Sequence, residues 1–278
     1  MSATTVTARK KPKRKNNSGL LMKVKDFVFT KAPSISKNDL AVKARALMRQ
    51  NSVRALPVFD GQKLIGVVTR SDIAKITSTK SNLTVGGLLW KSLITVTPEH
   101  TLLEAAKILL KEDIKQIPIV NDGKFSGFIR DLDILKGISA NKTPSKKKSV
   151  REIMTSRVKT FSFDESIAKV WGTITEHASF PVLQSGRIVG VISTKELLHS
   201  KGARIERESK TIKHSTKVGN IMKIVIGQEQ KFLIGPDAPI EKAIRKMLDE
   251  DLGILVVAEK NNKLIGIVTR KDLLKAYV

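Results

Sequence analysis

The sequence predicts an α/β (α+β) protein assembled from four copies of one β-α-β-β-α unit. Three observations carry this expectation. The octet Gly266-Ile267-Val268-Thr269-Arg270-Lys271-Asp272-Leu273 recurs as Gly66-Val67-Val68-Thr69-Arg70-Ser71-Asp72-Ile73. Looser copies read Gly127-Phe128-Ile129-Arg130-Asp131-Leu132-Asp133-Ile134 and Gly190-Val191-Ile192-Ser193-Thr194-Lys195-Glu196-Leu197. A valine-led apolar segment stands upstream of each glycine, at Val24, Val85, Val150 and Val218. Between valine and glycine lie an amphipathic helix and a short apolar strand, so self-similarity defines the unit before any fold is argued.

The first repeat shows the elements in order. Leu40, Ala44, Leu47 and Met48 recur at helical spacing and predict a core stripe. Ala55-Leu56-Pro57-Val58-Phe59 reads as a strand, and Asp60-Gly61 before Leu64 signals a hairpin. The octet then finishes a second strand and opens a helix. The second repeat restates this with Leu102, Ala105, Ala106 and Leu109, the strand Ile117-Pro118-Ile119-Val120 and a turn at Asn121-Asp122-Gly123. The third has a shorter central helix in which Trp171 fits the apolar period and is expected to fill core. The fourth places Leu255 where the others carry Pro57, Pro118 and Pro181, and an insertion at Gly227-Gln228-Glu229-Gln230-Lys231 predicts a protruding hairpin or loop.

Each unit is about 60 residues, too small to bury a comfortable core alone, so neighbouring repeats are expected to pair face to face. The resulting map is a disordered basic tail at 1–20, a first module at 21–139, a basic linker at 140–149 and a second module at 150–278. The repeats fall at about 24–77, 85–138, 150–199 and 218–278. Residues 199–217 read as a polar spacer that continues a helix from Leu197.

The net charge is +25, with 51 Lys and Arg against 26 Asp and Glu. The excess is concentrated in the tail (Arg9, Lys10, Lys11, Lys13, Arg14, Lys15), the linker (Lys146, Lys147, Lys148) and the spacer. Two readings stay open for such blocks: a solvated tail, or an arm that tracks phosphates. Aromatics are 4% of the chain and absent from the tail, so base stacking along it is excluded. Cysteine is absent, which removes disulfides and thiol chemistry. The four histidines are scattered without metal-ligand spacing, and no Gly-rich phosphate loop ending in Gly-Lys-Ser/Thr occurs. No apolar run approaches a membrane span, and the basic N-terminus lacks the apolar core of a signal peptide, so a cytoplasmic location is expected.

The valine-led segment, the helix, the Leu-Pro-Val-type strand and the Gly-apolar-apolar-Thr-x-x-Asp ending together resemble the CBS domain. The resemblance covers nearly everything from Val24 to Val278 and implies two Bateman modules. It also implies a regulatory rather than catalytic protein, with no required cofactor. The implied ligand is an adenine nucleotide (AMP, ADP or ATP) or S-adenosylmethionine. Since the repeats use up the chain, the activity regulated is expected to belong to another polypeptide. Modules pairing within one chain and modules pairing in a homodimer both remain open. The rival reading makes the modules a platform for a protein that binds RNA, DNA or the ribosome through its basic segments.

Thr69-x-x-Asp72, Ser193-x-x-Glu196 and Thr269-x-x-Asp272 fit a helix capping box, which stability alone would explain. A helix start also suits a phosphate, and Arg70 and Arg270 add charge that capping does not require. The resemblance implies that the Asp holds a ribose, that the Thr region meets phosphate, and that a hydroxyl before the central helix completes the set. Those hydroxyl positions, counted without gaps, are Ser34, Thr95, Thr160 and Leu233. Repeat one thus carries the whole set, Ser34, Thr69, Arg70 and Asp72. Repeat four carries Thr269, Arg270 and Asp272. Repeat two also belongs to the candidate nucleotide-binding set, with Thr95, Asp133 and Arg130 in place of the hydroxyl, and repeat three has Glu196 in place of Asp.

Overall fold

The computed structural model describes residues 21–74, 82–89, 92–173, 179–199 and 216–278. The basic residues Arg9 to Lys15 and most of the 199–217 spacer lie outside them. Each repeat contributes a central helix, a β-hairpin and a closing helix. The central helices are Ala41–Gln50, Leu102–Lys111, Ile167–Thr173 and Ile240–Asp249. The hairpins pair Ala55–Asp60 with Lys63–Thr69, Gln116–Asn121 with Lys124–Arg130, Ser179–Gln184 with Arg187–Ser193, and Ile254–Ala258 with Leu264–Thr269. The closing helices begin at Arg70, Asp131, Thr194 and Arg270. A short parallel strand or bridge completes each sheet ahead of the central helix, at Ile35, Val96, Phe161 and Ile234.

The central helix of repeat two behaves as its periodicity predicts. Leu102, Ala105, Ala106 and Leu109 are all fully or nearly fully buried, and each such leucine contributes roughly 2 kcal/mol by removal from water. Thr101 caps it, accepting from the Glu104 amide, while the Glu104 carboxylate accepts from the Thr101 amide at 2.7 Å. In repeat one the stripe is displaced. The helix starts at Ala41, leaving Leu40 outside it and 42% exposed, and Ala41, Ala44 and Met48 form the buried face. Two further expectations shift in repeat four. Strand register aligns Val256, not Leu255, with Pro57, because Val256 faces Ile267 as Pro57 faces Val67. The insertion folds as a one-turn helix, Glu229–Phe232, since Phe232 finds a buried site and pins the segment down. Trp171 packs against the third-repeat core with Phe163, as its period predicts.

The valine-led segments explain how repeats join, because each docks on the neighbouring repeat. The Val24 amide donates to the His100 carbonyl, Val85 to Asp39, Val150 to Ala238 and Val218 to Glu165, all at 2.8–2.9 Å. Repeats one and two therefore exchange segments, and so do three and four. All four valines are fully buried. The segment then crosses the partner's motif glycine. Phe29 pairs with Phe128, Thr155 with Ile267, and the strand Lys223–Ile224 with Gly190 and Val191. In repeat one the Leu89 side chain covers Gly66. The glycine is required by this approach: a Cβ on Gly127 would sit 2.6 Å from Val28 Cγ1 and 2.8 Å from the Phe29 carbonyl oxygen.

Between the two exchanged pairs the closing helices meet. Asp131–Ala140 packs against Ile240–Asp249 and Arg270–Lys275, and Arg70–Ala74 packs against Thr194–His199. Repeats two and four share one continuous apolar core, to which Ile188 and Val191 of repeat three also belong. The four repeats thus close a ring in the order one, two, four, three. The linker is fastened to repeat four, with the Lys146 amide donating to the Ala276 carbonyl at 2.8 Å and Thr143 buried.

Replacing Gly127 by valine should push the leading segment off repeat two. The added atoms meet backbone as well as side chain, and Gly127 holds a φ of 143° that a β-branched residue resists. A loss of about 3 kcal/mol is expected in urea unfolding, whereas Gly123→Asn, in an open turn, should cost under about 1 kcal/mol.

Candidate functional site

The four octets place their polar residues at equivalent points but bond them differently. In repeat one the Asp72 carboxylate accepts from the Thr69 amide at 2.8 Å and from the Thr69 hydroxyl at 2.6 Å. Repeat four copies this, with Asp272 accepting from the Thr269 amide at 3.0 Å and hydroxyl at 2.7 Å. In repeat three the Ser193 hydroxyl donates to Glu196. In repeat two the acceptor is filled by an arginine: Arg130 Nε donates to Asp133 Oδ2 and Nη2 to Oδ1, both at 2.6 Å. The full reciprocal cap is therefore kept in repeats one and four, where Thr69 and Thr269 also accept from the Asp72 and Asp272 amides at 3.4 Å, while repeat two keeps only the half in which Asp133 accepts from the Arg130 amide.

Strand register supports the alignment of the upstream hydroxyls. Ile35, Val96, Phe161 and Ile234 occupy the same place beside their hairpins, so Ser34, Thr95, Thr160 and Leu233 are structural counterparts. Ser34 and Thr95 are exposed, and Thr160 is half-buried.

Arg70 and Arg270 follow equivalent hydroxyls yet differ in what they hold. Each Nε donates to a backbone carbonyl, Arg70 to Val53 at 3.0 Å and Arg270 to Leu252 at 2.9 Å. Arg270 is then spent on structure. Its Nη1 lies 3.4 Å from Asp131 of repeat two and its Nη2 lies 3.0 Å from Asp251, with only 3% of the residue exposed. Lys271 adds a second tie between repeats four and two, at 2.6 Å from Asp113. Arg70 makes no ion pair with a described residue. Burial, and then the charge of Arg54, push it down to about 10.

Arg54 and Lys115 are residues that sequence reasoning missed. They share one place in the repeat, immediately before the first hairpin strand, three residues ahead of Pro57 and Pro118. The Arg54 carbonyl accepts from the Arg70 amide at 2.9 Å, which sets it beside the repeat-one octet. Its guanidinium reaches repeat four, where Nη2 lies 3.9 Å from the point a Cβ on Gly253 would occupy. Gly253 is its own counterpart there, so the side chain enters room the fourth repeat leaves vacant. Burial, and then the charge of Arg270, hold Arg54 below the ordinary arginine range. Lys115 reaches solvent but is enclosed by protein on most sides. That enclosure, followed by Arg54, lowers it as well. Among the described residues no carboxylate hydrogen-bonds Arg54 or Lys115. Recurrence of a cation at one register was the signal available in the sequence.

Matches to the CBS domain cover residues 24–78, 85–140, 150–202 and 218–278. The chain belongs to the CBS-domain family. Among solved structures, protein MJ1225 of Methanocaldococcus jannaschii, proposed to be an archaeal homologue of g-AMPK, superposes with a TM-score of 0.79. The match is 22% identical and covers 92% of this chain and all of that one. A conserved protein from Pyrococcus horikoshii covers the same shares at a TM-score of 0.63 and 21% identity. These likenesses establish the fold. In sequence, MJ1225 is 23% identical over 257 residues, 84% of this chain and 91% of that protein. The inosine-5'-monophosphate dehydrogenase of Korarchaeum cryptofilum is 32% identical over 120 residues, and the chain spans 25% of that enzyme's length.

Within this CBS-domain protein, no helix among the described residues is long and apolar enough to cross a membrane. Nor do those residues hold a group of His, Cys, Asp or Glu suited to a metal ion. Of the linker lysines, Lys146 donates from Nζ to the Val278 carbonyl oxygen, while Lys147 and Lys148 are exposed.

Arg270→Ala should separate the structural role of this arginine from any role toward a ligand. Removing it leaves Asp131 buried without its cation, so about 3 kcal/mol of stability should be lost in urea unfolding. Asp251→Ala should cost under about 1 kcal/mol, because that carboxylate is 76% exposed and screened.

Proposed function

We propose that the protein binds adenine nucleotides without transforming them and transmits their occupancy to a separate protein. The observation that carries this reading is the group of Arg54, Arg70 and Lys115. Arg54 neighbours both Arg70 and Lys115, all three are lowered first by burial, and none has a hydrogen-bonded carboxylate among the described residues. Like charges brought together and partly enclosed by protein are unfavourable unless an anion joins them, and a phosphate chain supplies one. Beside them repeat one offers Ser34, Thr69 and Asp72, whose carboxylate is an acceptor for the two hydroxyls of a ribose. Repeat four offers Thr269 and Asp272 in the same geometry. The cation group favours AMP, ADP or ATP over S-adenosylmethionine, which carries no phosphate.

Regulation of a separate target is part of the same proposal. The dehydrogenase match shows the repeats as a minor part of an enzyme, whereas here they fill residues 24–278. The octet hydroxyls of Thr69, Ser193 and Thr269 donate to the carboxylates at their own helix starts, and the reading assigns these pairs to recognition.

Asp72→Ala should weaken AMP or ATP binding at least tenfold in calorimetry, about 1.4 kcal/mol. It should also lower stability by about 1 kcal/mol through the lost cap. Arg54→Gln should weaken ATP more than AMP while raising the melting temperature of the free protein, since burial and Arg270 outweigh the attraction of Asp131 and Asp251 for this cation. Unchanged affinities in both variants would reject the site.

A second reading is kept for the exposed Lys147 and Lys148 and for the basic arm. Binding of RNA through them would be driven by counterion release, with each phosphate contact on duplex contributing about 0.9 to the salt slope. Deleting residues 2–18 should flatten that slope by several units in a polarisation titration. Equal slopes for both forms would reject the arm as a polyanion contact.

A further inference from the structure

The second repeat carries an arginine where the other three carry a hydroxyl, and that arginine takes up the aspartate of its own octet. Arg130 stands where the others carry Thr69, Ser193 and Thr269. Its guanidinium engages both oxygens of Asp133, and its backbone amide donates to Oδ2 at 3.1 Å. Such a planar two-point pair uses the acceptor positions that two vicinal hydroxyls would need. Asp133 is only 4% exposed, so the carboxylate lies inside the protein, with the half-buried Arg130 side chain over it.

The guanidinium is also covered. Its Cζ lies 3.7 Å from the centroid of the Phe29 ring, a cation–π contact. Phe29 belongs to the segment that repeat one lends to repeat two, and two backbone bonds to Phe128, at 2.8 and 2.9 Å, hold it there. The ring can come this close because Gly127 has no side chain to keep the segment away. Arg130 is thus held by a carboxylate at one end and an aromatic face above.

We propose that Arg130 acts as a built-in ligand that closes the second half-site, so that the first module takes a single nucleotide, in repeat one. Arg130 and Asp133 then serve selectivity by exclusion: they set how many nucleotides the protein carries. This rests on the nucleotide-binding reading above and extends it to stoichiometry.

The test is calorimetry of the full-length chain with AMP and with ATP. Arg130→Thr restores the hydroxyl of the other repeats and should raise the number of nucleotides bound by one. The double variant R130T/D133A should return to the wild-type number. An unchanged number in a folded Arg130→Thr, with wild-type binding retained, would overturn the proposal. A second measurement needs no variant. Crystals of the unmodified protein grown at saturating AMP should show Arg130 still paired to Asp133 and no nucleotide beside it. Nucleotide bound there, with the pair broken, would overturn the proposal equally. If the wild type binds no nucleotide but Arg130→Thr binds one, the closure stands and the nucleotide-binding reading for repeats one and four fails. If neither form binds, both fail.

Discussion

A backbone crossing recurs through this protein, and the arrangement of its repeats depends on it. The leading segment of repeats one, three and four leaves its own unit, passes over the partner's motif glycine and pairs with the strand there, while the second reaches repeat one through Leu89. At Gly190 and Gly266, as at Gly127, the partner backbone oxygen lies 2.8 Å from where a Cβ would stand. The anchoring valines are fully buried beneath the crossing. A repeat without its partner would lose both the valine and a flanking strand, which is why units of this size occur joined. The glycine looked like the tail of a strand in the sequence. Its physical task is to admit another repeat.

That crossing has chemical consequences away from the backbone. It carries Phe29 onto Arg130 and so covers the guanidinium that pairs with Asp133. It also leaves the closing helices free to meet across the ring, where Arg270 is buried against Asp131 and Lys271 pairs with Asp113. The first of these is deep enough that losing one partner strands a charge. The second lies between groups that are 41% and 77% exposed and contributes little. The two octets with the same Thr-Arg-x-Asp spelling consequently divide their labour. In repeat four the arginine ties that repeat to repeat two, and in repeat one it remains beside Arg54.

The electrostatics of the ring centre follow from this division. Arg270 is balanced by two carboxylates and Arg130 by Asp133, and both stabilise the apo fold. Arg54, Arg70 and Lys115 form no ion pair with a described residue. Asp131, Asp251, Glu196 and Asp113 offset their burial only in part, and the remainder is a cost carried by the folded state. Anion binding would relieve that cost, so the same residues that weaken the free protein favour a phosphorylated ligand.

Local chemistry made much of this legible in advance. The repeat, its element order, the buried stripe of Leu102, Ala105, Ala106 and Leu109, and the capping pairs Thr69–Asp72 and Thr269–Asp272 follow from spacing within a few residues. Short-range misreadings were small and had local causes: the helix begins one residue after Leu40, the fourth strand is shifted to Val256, and Phe232 turns an expected loop into a helix. Matters that depended on distance in the chain were not legible. Spacing cannot say that Val24 docks beside His100, that Arg54 reaches Gly253, or that Arg130 lies under Phe29. The two arginines of the Thr-Arg-x-Asp octets are alike in sequence, and only the neighbours supplied by other repeats make one a strut and leave the other a candidate phosphate contact. Pattern alone determined the unit and its caps, because those are fixed by interactions within a turn or a hairpin. Tertiary structure decided which polar groups are already satisfied, because their partners lie as far as 139 residues away.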